Sequence, residues 1–260
     1  MNEGIIQIIK GFLKTDEDDI TRVRVSSEIR LSQSLDIYGV ENPASVTKLT
    51  IVGKMTRLDF KYIRKKMFAN LQALDISETT IENNRIPNKA FDHCHKLTSI
   101  ALPNNISEIR KKTFSFCGSL TSITIPPSVV KIEELAFYKC TSLTAITIPN
   151  SVTEIKFRAF SDCSGLTSIT IPDSVVTIGS AAFGNCTALT SVTLPESEME
   201  IGNFVFNNCT SLTSIFIPKN VILIGEGVFD NCPAYITVHP DNPFYASKDG
   251  KLISKEQKHD

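Results

Sequence analysis

Seven cysteines, Cys94, Cys117, Cys140, Cys163, Cys186, Cys209 and Cys232, stand at a constant interval of 23 residues. Six equal intervals do not arise by chance, and they constrain the fold more than any other feature: the chain is built from a repeated unit. Phenylalanine keeps the same step at Phe91, Phe114, Phe137, Phe160, Phe183, Phe206 and Phe229, with Phe68 one step earlier. Leucine follows at Leu97, Leu120, Leu143, Leu166, Leu189 and Leu212, and proline from Pro103 to Pro218.

The unit has a readable local structure. Leu143-Thr-Ala-Ile146-Thr-Ile148 alternates apolar with polar residues and is rich in β-branched side chains, so it reads as a half-buried strand. Pro149 lacks a backbone donor and stops the pairing. An extended piece follows, with Val152 and Ile155 inward; in later units Gly179, Gly202 and Gly225 come next and permit a turn. Ala159-Phe160-x-x-Cys163 has the spacing of a single helical turn that puts Phe and Cys on one side. One such unit has too little inward surface to fold alone, so neighbouring units must stack and share a core. Stacked like strands form a parallel sheet. The period falls in the range of leucine-rich repeats, and Leu-x-x-Ile-x-Ile matches their core motif. The predicted fold is an α/β leucine-rich-repeat solenoid of 23-residue repeats. Its parallel β-sheet lies on the concave face, with short extended pieces and single helical turns on the other side.

Leu-Thr-Ser-Ile-Thr-Ile-Pro, Ser-Val-x-x-Ile-Gly and Ala-Phe-x-x-Cys together resemble the BspA-like leucine-rich-repeat family. The regular match runs over about residues 86–240. The segments 46–53 and 71–77 look like the family's irregular opening repeats, and residues 242–253 resemble a terminal hairpin, with Asp249-Gly250 as its tight turn. The resemblance implies a bacterial cell-surface or secreted protein that adheres to a protein ligand such as a host matrix or cell-surface protein.

On this reading residues 1–90 form an N-terminal cap with two atypical repeats, 91–240 the regular repeats, and 241–260 a C-terminal hairpin and tail. Ile5, Ile6, Ile8 and Ile9 suggest a short amphipathic helix, and residues 15–19 an acidic loop. Leu49 and Ile51 recur 25 residues on as Leu74 and Ile76; beyond them the pattern slips, which predicts an insertion near residues 79–86. The inward column Ile106, Val129, Val152, Val175, Val221 is interrupted at Glu198. A buried carboxylate without a partner costs several kcal/mol, so a local slip should turn Glu198 to solvent and Met199 inward.

Catalytic chemistry finds no foothold. One cysteine per coil places neighbouring thiols side by side at strand spacing, which suits a core and not a disulfide, and no Cys-x-x-Cys favours zinc. His93-Cys94-His95 cannot converge on one ion if Cys94 points inward. No nucleophile elbow, phosphate-binding glycine loop or zinc-protease motif occurs. The reading is therefore of no catalytic, cofactor or metal site. A formal net charge of −1 exerts no global pull on polyanions, and no basic stripe carries regular aromatics, so nucleic acid is not an expected partner. No apolar run is long enough for a membrane span, and the first ten residues do not read as a signal peptide. Arg64-Lys-Lys66 and Arg110-Lys-Lys112 are explained by solvated turns; a patch for an acidic partner is the alternative.

What remains is surface. Ser122, Thr124, Thr147, Thr170, Thr193 and Phe216 flank the inward residues of successive strands and form a candidate ligand-binding face. Phe216 is its one large apolar member and a possible anchor. The leading expectation is a non-catalytic adhesion protein. Carbohydrate recognition by Phe216, Tyr235, Phe244 and Tyr245, a cytoplasmic scaffold, and ice or crystal binding by the Ser/Thr ranks are the alternatives.

Overall fold

The computed structural model describes residues 20–26 and 28–255. The expected helix at Ile5–Ile9 and acidic loop at 15–19 lie outside the described residues. The chain winds into stacked coils joined by parallel pairing. Strand β1 (Ile20–Val25) leads to helix α1 (Leu31–Ile37) and strand β2 (Lys48–Met55). Helix α2 (Arg57–Lys66), β3 (Ala73–Asp75), β4 (Thr79–Ile81) and β5 (Ser99–Ala101) follow. Strands β1, β2, β3 and β5 lie side by side in one parallel sheet. On the same side of later coils Ser168–Thr170 pairs with Ser191–Thr193, and Ser214–Ile217 with Tyr235–Val238.

A second face carries six short parallel strands, from Glu108–Ile109 through Lys131–Ile132, Glu154–Ile155, Thr177–Ile178 and Met199–Ile201 to Val221–Ile224. Here Glu198 is exposed and Met199 fully buried, with the register shifting just after Met199. The slip expected from the cost of burying a carboxylate is present.

The third edge differs from expectation. It holds no helical turn in the regular coils. Two residues per coil, four apart, adopt left-handed φ: Leu135 and Lys139, Arg158 and Asp162, Ala181 and Asn185, Phe204 and Asn208. Alternate amides then point along the solenoid axis to the next coil: Arg158 N donates to Ser180 O (3.0 Å), Phe160 N to Ala182 O (2.8 Å) and Asp162 N to Gly184 O (2.8 Å). A helix would have satisfied these donors within its own turn. Stacking offers the neighbouring coil as acceptor, and left-handed residues aim the donors at it. After glycine, Asn and Asp tolerate that conformation best, and Asn208 Nδ2 donates to Asn185 Oδ1 (2.9 Å) along the same column.

This edge drives Phe and Cys inward together. The rings of Phe91, Phe114, Phe137, Phe160, Phe183, Phe206 and Phe229 form one near-parallel stack, with centroids 5.1–6.0 Å apart. Phe68 does not begin it, contrary to its place in the 23-residue count: it is exposed, and Phe60 of α2 meets Phe91 edge-on at 5.9 Å. The thiols from Cys117 to Cys209 each donate to the carbonyl of the phenylalanine one coil back, as Cys117 does to Phe91 O (3.1 Å) and Cys163 to Phe137 O (3.1 Å). A hairpin, Tyr245–Lys248 with Lys251–Ser254, lies against the last coil through Ile236 N to Gly250 O (2.9 Å). Asp249 and Gly250 both take positive φ at its tip, as a two-residue hairpin turn requires.

Candidate functional site

Once Leu, Ile, Val, Phe and Cys are consumed by the core, each regular coil has few side chains left for work. Ser122, Thr124, Thr147, Thr170, Thr193 and Phe216 are all exposed, on the face made by the Leu-x-x-Ile-x-Ile segments. The structure gathers three of them. Thr147, Thr170 and Thr193 line a depression of about 670 Å³, whose floor includes Ile146, Ile171 and Leu194. Ser122 and Thr124 lie one coil before it and Phe216 one coil after.

Hydroxyls on this face fall into two sets. Thr121, Thr167 and Thr190 donate to the carbonyls of Thr98, Thr144 and Thr167, so their protons are spent in coil-to-coil ladders. The hydroxyls of Thr147, Thr170 and Thr193 make no hydrogen bond to another described residue. Their donors and acceptors are available to a ligand.

Sequence reasoning missed the rim: Asn150, Asp173 and Glu196 border the depression. The signal was available, since each follows a repeat proline (Pro149, Pro172, Pro195); the first two sit in turns closed by Val152 N on Pro149 O and Val175 N on Pro172 O (both 3.0 Å), and Glu196 in a bend. Glu196 N donates to Asp173 Oδ1 (3.0 Å), which orders the rim across two coils.

At the C-terminal end, Phe216 (45% exposed) and Tyr235 (59%) stand on adjacent strands. The register Ser214↔Tyr235 and Phe216↔Thr237 makes them diagonal neighbours on one face, and His239 packs edge-on to Phe216 at 6.2 Å. Tyr245 does not join them: it is buried, and its hydroxyl accepts from Ile224 N (2.7 Å).

The thiols are chemically quiet. Burial, with a smaller push from the Asp92 charge, raises the Cys94 thiol to about 12, and burial above all, helped by the neighbouring thiols of the column, places Cys117, Cys140 and Cys186 well above the usual thiol range. A thiol that cannot ionise near neutrality is neither a nucleophile nor a ready metal ligand. Cys94 is buried, whereas its neighbours His93 and His95 are exposed, their rings edge-on at 5.5 Å. Among the described residues, no helix is long and apolar enough to cross a membrane.

Comparison with known proteins agrees with this architecture. The family model described as "BspA type Leucine rich repeat region" matches six copies, over residues 61–165 and 131–244. Among solved structures, a leucine-rich cell surface protein of Faecalibacterium prausnitzii is 33% identical over 72% of this chain, with a TM-score of 0.60. A leucine-rich-repeat protein of T. pallidum is 28% identical over 70% of this chain and 82% of its own, with a TM-score of 0.57. The pneumococcal vaccine antigen PcpA is 28% identical over 61% of this chain, with a TM-score of 0.50. The chain spans 48% of the first protein and 43% of the third. No curated protein matches the chain.

Proposed function

The chain belongs to the BspA-type leucine-rich-repeat family, and from that premise we propose that it is a non-catalytic cell-surface protein that binds a protein partner through its exposed sheet face. The observation that carries this reading is the depression lined by Thr147, Thr170 and Thr193, whose exposed hydroxyls make no hydrogen bond within the described solenoid. Phe216 supplies an apolar anchor beside it, the kind of residue on which binding energy concentrates. The surface location draws on relatives such as the F. prausnitzii cell surface protein.

The test is binding of immobilised matrix proteins by wild type and by Phe216→Asp/Thr170→Lys/Thr193→Lys. Loss of at least about tenfold in affinity, with an unchanged melting temperature, is expected; intact binding would show that this face is not the site. A second reading, carbohydrate recognition, is favoured by the exposed Phe216–Tyr235 pair, since two neighbouring rings offer a stacking platform for a sugar. Binding on a glycan array that disappears with Tyr235→Ala would select it.

A further inference from the structure

The other charged feature of the chain lies at the opposite end. Helix α2 carries Arg57, Lys61 and Lys65 at i, i+4 and i+8, all exposed. Like charges at this spacing repel along a helix. Arg57 occupies the first helical position, where the helix dipole also disfavours a cation. The cations of the last turn, Arg64 to Lys66, suit the dipole, but Arg57 and Lys61 serve no such purpose. Asp59, the one acid of α2, is buried and occupied: its carboxylate accepts from Leu31 N, Thr56 N and Thr56 Oγ1.

The fold brings a second set of cations opposite. Arg57, Lys61 and Arg64 share a groove of about 570 Å³ with Lys89, from the turn edge of the first regular coil. Among the described residues no acid lines it; the remaining lining is Leu58, Phe60, Pro87, Asn88 and Ala90. Through Arg57 and Asn88 it runs on into a groove of about 760 Å³ that adds Arg85 and Arg110, each paired with Glu108 (3.8 Å), and among the described residues Glu82 is the one acid in its lining. Among the described residues, Arg57, Lys61 and Lys89 have no ion-pair partner, whereas Lys111 and Lys131 elsewhere on the solenoid pair with Glu134 and Glu154. In a chain of net charge −1, this is a local concentration of unanswered positive charge with an aliphatic floor.

We propose that this groove binds an extended acidic peptide segment of a partner protein. Cations on both walls match alternating carboxylates: Arg57 can grip one bidentately, and Arg64, whose Nη1 donates to Lys89 O (3.3 Å), keeps its remaining donors for another. Leu58, Pro87 and Ala90 provide an apolar strip for the peptide's intervening side chains. Among the described residues the groove has no exposed aromatic ring to stack a base, which disfavours nucleic acid.

The experiment measures fluorescence anisotropy of a labelled hexaglutamate peptide against the whole chain at low ionic strength. Competition with heparin and binding to phosphatidylserine vesicles are measured in parallel. Saturable, salt-sensitive binding is expected, weakened at least about tenfold by Arg57→Glu/Lys61→Glu and unchanged by the distant Lys219→Glu. The double variant should melt at or above the wild-type temperature, because it removes like-charge repulsion. No binding of the peptide, equal weakening by Lys219→Glu, or binding of heparin or vesicles without the peptide would each overturn the proposal.

Discussion

In the coils from residue 86 onward, the edge opposite the two sheet faces is a ladder of left-handed turns, filled by stacked phenylalanines and hydrogen-bonded thiols. Before residue 86 the same sheet continues, but α1 and α2 take over the edge and the coils change length. Thr21 of β1 pairs with Leu49 of β2, 28 residues on; Leu49 pairs with Leu74 and Leu74 with Ile100, at steps of 25 and 26. Both designs bury a similar column: Phe60 and Ile63 of α2 keep the spacing of Phe91 and Cys94 and are as fully enclosed. What a coil requires is therefore the strand and its inward residues. The edge is replaceable, provided its amides find acceptors, within a helix or in the neighbouring coil.

The largest expected effect separates the two regions by their thiols, since every cysteine lies in the regular coils. Cys94, Cys117, Cys140, Cys186 and Cys209 have pKa values raised by burial, to about 12 for Cys94 and Cys209. A group whose folded pKa lies above its unfolded value stabilises fully below the unfolded pKa, near 8.5 for a thiol, and loses that stabilisation as pH rises. One unit above that point each thiol forfeits on the order of 1 kcal/mol, on the order of 5 kcal/mol for the five together. Denaturant titrations between pH 7 and 9.5 should show this fall. Hydrogen exchange should locate it from residue 86 onward while β1, β2 and β3 stay protected. Uniform loss across both regions would break the comparison.

A smaller effect tests the stack. Phe160→Ala removes a ring packed between Phe137 and Phe183 and should cost about 3–5 kcal/mol. Phe68→Ala, in 23-residue register but exposed, should change stability by less than about 0.5 kcal/mol. Equal effects in chemical denaturation would restore Phe68 to the column and make the helix edge a variant of the turn edge.

Phe68 also marks where the sequence stopped being legible. The solenoid, the inward columns and the slip at Glu198 follow from period and burial cost, because each coil repeats the same test of which residues face inward. The insertion near residues 79–86 was legible as a lapse in register; it is β4 and a short 3₁₀ turn, with Asn83 and Asn84 in left-handed φ. The coil edge was not. Phe-x-x-Cys spacing is shared by a helical turn and by a string of tight turns, and only the neighbouring coil's carbonyls decide between them. In the candidate site the threonines were legible as outward positions. Which hydroxyls remain free depends on ladders between coils, and the acidic rim depends on a proline turn closing against the next. No single unit contains that information.

The smallest effect concerns charge. On the second face, Glu154 accepts from Lys131 (2.7 Å) and Lys156, and these bonds hold its carboxyl below the usual range. A depressed carboxyl stabilises above its unfolded pKa, near 4.3, and that contribution disappears as pH falls through the folded value. Both lysines are partly exposed, so solvent screening limits the contribution to about 0.5 kcal/mol. Glu154→Gln should lose that amount at pH 7, and the variant and wild type should converge near pH 3 in acid titrations of unfolding. Lys61→Gln on α2, which removes a cation without an acidic partner, should leave stability unchanged or slightly raised at both pH values. If the two substitutions cost the same, the charges of α2 are answered within the fold after all, and the contrast between a neutralised solenoid wall and a charged N-terminal groove fails.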